Sequence, residues 1–166
     1  MESRIKHLAE TSLPRKMPTW GYDVFEQFAT DMLSGNNPFP YLLNLDGIKR
    51  RQTRFVFIDS ISRQNHIQQL ANKLTSFVQQ HHRYGDHTAL IAFFQPTLQY
   101  TYTYEVMFKN VLTQLTTFND IEWPLDHDFS FCDYWCEFFY KGVAMNVVCS
   151  APTYFAFIIV FKPTDT

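Results

Sequence analysis

Six histidines and three cysteines are the side chains of this 166-residue sequence best able to ligate a metal or act as nucleophiles. Their spacing limits what they can do. No HxxxH or HExxH pair occurs, so the paired imidazoles of a helical zinc site are missing, and no metal is expected. His81 and His82 close a predicted helix, where a partly positive imidazole suits the negative end of the macrodipole. His66 falls near the start of that helix on its polar side, His7 lies in the N-terminal segment, and His127 sits between Asp126 and Asp128 in a loop read as solvated. His87 directly precedes an apolar strand, at the kind of sheet end where ligands bind. Cys132, Cys136 and Cys149 include no CxxC pair and are odd in number, which reads as reduced thiols in a cytoplasmic setting. Cys149 ends a strand shortly before Pro152. No GxSxG elbow marks a hydrolase, and Gly35, Gly47 and Gly85 are too isolated to cradle a phosphate.

The elements that must position these residues follow from periodicity. Thr19 caps a helix to about Leu33, with Trp20, Val24, Phe28 and Met32 on one stripe and Gly35 ending it. Pro38 and Pro40 forbid helix in the next segment, so an apolar strand is expected through Tyr41 to Leu45, with Asp46-Gly47 as a turn tolerant of positive φ. A second strand, Arg54 to Ile58, alternates Phe55 and Phe57 against Val56 and Ile58. A helix opening at Ser60 or Ser62 carries Ile67, Leu70, Ala71, Leu74, Phe77 and Val78 at helical spacing and stops at Gly85. Thr88 to Phe94 is apolar on both parities, which predicts a strand buried on both faces. A third helix spans about Thr103 to Phe118. Cys136–Tyr140 and Val143–Cys149 flank a Lys141-Gly142 turn, and a last strand runs from Phe155 to Phe161 before Pro163. The expected class is α+β: one domain, residues 19–163, with about six strands in a mixed or mostly antiparallel sheet packed by about three helices, preceded by an N-terminal arm over residues 1–18.

Composition narrows the function. The net charge is −2, and apart from Lys49-Arg50-Arg51 the cations are scattered, so no basic face for nucleic acid is expected. Met1 to Ser12 has no apolar run and reads as no secretory signal, and the apolar runs are strand-sized, so no membrane span is expected. Seventeen Phe and nine Tyr supply a dense core. From residues alone, the activity stays open.

An ordered set of landmarks resembles the YqcI/YcgG family of bacterial proteins. It comprises Trp20, Phe25 and Phe28; Pro38-Phe39-Pro40 with Asp46-Gly47; Arg54 to Phe57; Phe93-Phe94-Gln95-Pro96; and Tyr104 to Phe108 leading to Leu112-Thr113-Gln114-Leu115. It continues through Asp120, Trp123-Pro124, Phe138 to Gly142, Cys149 to Pro152, and Lys162-Pro163. The resemblance covers about residues 18–163. Some members of that family look like haem-dependent oxygenases that N-hydroxylate arginine or related guanidino compounds, which implies a haem pocket here. Family members usually carry a His after the last hairpin; Tyr154 stands in its place, the neighbouring basic residues are absent, and the family's Phe-Pro-Cys reads Phe39-Pro40-Tyr41. By resemblance, Tyr154, Cys149 or His87 would ligate a cofactor, and Phe39, Pro40, Tyr41 and Pro152 would line a substrate pocket.

Two readings follow, and whether the chain is an enzyme stays open between them. The altered segment favours a small-ligand-binding domain without catalytic activity. The resemblance carries the alternative, a haem-dependent oxygenase acting on arginine or a related guanidino compound.

Overall fold

Apolar residues at helical spacing need a sheet face to bury against, and a strand apolar on both parities needs cover on two faces. The computed structural model, which describes residues 13–14, 16–34, 47–48, 50–59, 64–96, 104–119, 135–150 and 157–164, meets both demands. In chain order the elements are α1 (Thr19–Ser34), β1 (Thr53–Ile58), α2 (Gln64–Tyr84), β2 (Ala89–Phe94), α3 (Tyr104–Thr116), β3 (Trp135–Tyr140), β4 (Val143–Ser150) and β5 (Ile158–Pro163). The strands form one sheet in the order β1-β2-β5-β4-β3. β1 and β2 are parallel and every other pair is antiparallel, so the sheet is mixed and the class is α+β, in one domain.

Helices lie on both faces. α2 and α3 bury Leu70, Leu74, Phe108 and Leu112 against Val56, Leu90, Ala92 and Phe161. α1 buries Val24, Phe25, Phe28 and Met32 against Phe55, Ile91, Phe93 and Val160 on the other side. The α1 side is cemented by aromatic rings: Phe55 and Phe57 stack on Phe93 at centroid distances of 6.0 and 5.1 Å, and Phe25 and Phe28 meet Phe55 edge-on. Such edge and offset contacts add to area burial. All six residues of β2 are buried, as its double parity requires. On the α2 side, the fully buried Tyr140 hydroxyl lies 3.3 Å from the Ala71 carbonyl and 3.1 Å from Thr75 Oγ1, tying β3 to the helix.

Several expectations change. β1 and β2 flank α2 as a parallel crossover unit, the parallel part of the mixed sheet, where the sequence did not say which strands would run parallel. Gly47 is helical rather than in a positive-φ turn; its lack of a side chain matters because a Cβ there would lie 2.7 Å from the His87 carbonyl oxygen. Arg51, at φ 63°, makes the reversal into β1 instead. The last strand begins at Ile158, and Pro163 belongs to it, opposite Met145. Five strands stand among the described residues; the one expected through Tyr41 to Leu45 lies outside them. The β3–β4 hairpin turns on Lys141 (φ 48°) and Gly142 (φ 85°), the two successive positive φ values of a type I′ turn.

Candidate functional site

Of the residues singled out in the sequence, Phe39, Pro40, Tyr41, Pro152 and Tyr154 lie outside the described residues, as do His7, His127 and Cys132. Cys149 is buried, in the core between the sheet and the α2–α3 layer. Neither it nor Cys136 is in a disulfide. His87 is half-buried beyond the amino end of β2, its backbone N–H donating to Gln52 Oε1 at 2.9 Å. The register separates these two. Cys149 pairs with Ile159, which pairs with Ala92, five residues along β2 from His87. At about 3.3 Å per residue that is about 16 Å along the strand direction, too far apart for both side chains to ligate one centre.

The other histidines also shift. His81 is buried, and burial, with neighbouring His82 second, lowers its pKa below the usual 6.5, which disfavours the cation that the helix end would favour. His66 is half-buried rather than on a fully polar side, and its buried Nδ1 has no hydrogen-bond partner. Glu137, Asn146 and Lys162 stand side by side across β3, β4 and β5 on the α1 side of the sheet, and burial lowers the pKa of Lys162. A cross-strand row of complementary polar groups accounts for that arrangement without a ligand.

Concavity appears elsewhere. Two adjoining cavities of about 270 and 260 Å³ flank Pro14 at the outer edge of β1, sharing Pro14, Phe55 and Lys73 in their walls. Phe55, Val56 and Phe57 all line the first cavity. Successive side chains of a strand point to opposite faces, so three in a row expose the strand's backbone edge as the floor. One wall is α2, through Gln69, Asn72, Lys73 and Ser76; the other is the segment holding Pro14, Lys16 and Pro18.

Three cations, Lys16, Arg54 and Lys73, line this groove, and none of its lining residues is acidic. That local balance runs against the molecule's net charge of −2. The Arg54 guanidinium carbon sits 4.0 Å above the Tyr84 ring, which itself stacks on Phe77 at 6.1 Å. A cation held flat on an aromatic face keeps its in-plane N–H donors available to a ligand and loses less freedom on binding. Sequence reasoning missed this groove. It drew nothing from Lys73 and used Arg54 only as a landmark, because only the crossover brings the two together.

The lining of this groove does not fit a haem. The groove's one side chain able to ligate iron is Tyr84, and its hydroxyl donates to Gln80 Oε1 at 2.9 Å while Arg54 covers its ring. Each cavity alone is slightly smaller than the usual range for organic ligands, about 300–1,000 Å³. No group of three or more His, Cys, Asp or Glu side chains among the described residues could hold a metal ion, and no helix there is long and apolar enough to cross a membrane.

Residues 25–159 match the sequence pattern that defines the YqcI/YcgG family. No curated protein and no solved structure matches the chain.

Proposed function

The chain belongs to the YqcI/YcgG family, and on that premise we propose that it is a small-ligand-binding domain whose site is the groove at the outer edge of β1. The observation that supports this most is the convergence of Lys16, Arg54 and Lys73 on a concave surface floored by the edge of β1, with no acidic residue in its lining. Few polar groups placed on a mainly apolar cavity are the usual composition of a small-molecule site. No nucleophile in the groove is hydrogen-bonded to a base, Ser76 and Lys73 included, so binding rather than turnover is the reading.

The test is thermal melting of the full chain against a panel of amino acids, dicarboxylates, sugar phosphates and short peptides, with hemin titrated in parallel by visible absorption. A saturable rise in melting temperature, lost in Lys73→Ala, supports the proposal, since a ligand that binds only the folded state stabilises it by mass action. A saturable hemin spectrum lost in Tyr154→Phe, with no effect of the panel, would replace it with the haem-dependent oxygenase.

A further inference from the structure

The floor of the groove carries information about what it binds. Ile58 directs its carbonyl to β2, where it accepts from the Gln95 N–H at 2.9 Å, and the Gln52 carbonyl accepts from Thr88 Oγ1 on the same side. Backbone groups alternate along a strand, so the N–H and C=O of Phe55 and Phe57 face the opposite, outer edge. Among the described residues β2 is the one strand that pairs with β1, and Phe55 and Phe57 line the cavities. The groove therefore presents an open ladder of peptide donors and acceptors about 10 Å long between Arg54 and Phe57, bordered by cations.

Arg54 shares strand parity with Val56 and Ile58, which face α2, and it rests on Tyr84 of that helix, so Arg54 and Lys73 border the groove from the α2 side. Pro14, Lys16 and Pro18 border it from the other. An extended chain adding to β1 would present residues i and i+2 toward α2 and residue i+1 toward the prolines. Resting on the small-ligand reading above, we propose that the ligand is a short free peptide with acidic residues at alternate positions. Its backbone pairs with the outer edge of β1 at Phe55 and Phe57, and its two carboxylates meet Arg54 and Lys73.

The test titrates acetyl-Asp-Val-Glu-amide into the isotopically labelled full chain and follows backbone amide resonances. Saturable shifts centred on residues 54–57 are expected, with affinity falling about tenfold or more in Arg54→Ala and in Lys73→Ala, the loss of one charge contact each. Lys73 is exposed, so its variant keeps the fold even where Arg54→Ala does not. Acetyl-Lys-Val-Lys-amide and the acidic peptide with N-methylated backbone amides should not bind. Equal binding of the N-methylated peptide would overturn strand pairing, and equal binding of the lysine peptide would overturn the charge assignment. Failure of all three peptides, while another member of the small-molecule panel still shifts groove resonances, would overturn the peptide and leave the small-ligand site standing. Failure of every compound at the groove would remove both.

Discussion

A single methyl group at Gly47 would enter space held by the His87 carbonyl, 2.7 Å away, and backbone cannot swing aside as a side chain can. Gly47→Ala is therefore expected to destabilise the fold by about 1–3 kcal/mol in denaturant melts, the usual range for overpacking. The glycine was legible in the sequence, but its reason was not: positive φ is a local property, whereas this constraint comes from a residue forty positions on. His81 makes the same point for charge. Its folded-state pKa lies below the ordinary 6.5, because burial first and His82 second disfavour the cation. A depressed histidine binds fewer protons folded than unfolded, so its stabilising effect is complete above about pH 6.5 and is lost as pH falls toward the folded value. Stability measured by denaturant melts at about pH 7.5 and at about pH 5.5 should fall between the two. His81→Gln should flatten that part of the profile.

At the scale of elements, hydrophobic periodicity read well wherever burial alone chose the structure. The stripe of α2 and the double parity of β2 became buried faces as expected. Leu90, 2% exposed, faces the α2 side of β2, and Leu90→Ala is expected to cost about 2–5 kcal/mol in denaturant melts. The β3–β4 hairpin was legible from Lys141-Gly142, yet what fixes it lies after α3. Asn119 donates from Nδ2 to the Phe139 carbonyl at 2.9 Å and accepts the Lys141 N–H on Oδ1 at 2.7 Å. Asn119→Ala removes both bonds and should cost about 1–3 kcal/mol, because two hairpin groups lose partners together. Lys141→Asn should stabilise by about 0.5–1 kcal/mol, since asparagine accepts positive φ at lower strain. Both variants are read by urea melts.

For the whole molecule, the α+β class and the family were legible because composition, strand parity and the order of landmarks all carry them. The relation of β1 to β2 was not, since nothing local distinguishes a parallel crossover from a reversal. That crossover makes β1 an edge strand and sets α2 beside it, so the groove is a consequence of topology that no run of residues announces. The antiparallel register of β2, β5 and β4 separates His87 from Cys149, two positions that looked interchangeable as ligands in the sequence. The edge has a structural role as well: Pro14 and Pro18 beside it are residues that discourage strand-to-strand aggregation.

The central claim is that ligands are taken at the outer edge of β1. The most direct measurement maps backbone amide shifts across the labelled full chain during titration with the small-molecule panel. The account predicts saturable shifts confined to residues 54–57 and 69–76, weakened in Lys73→Ala. Shifts gathered instead at the opposite edge of the sheet, on β3 and β4, with the β1 edge silent, would contradict it.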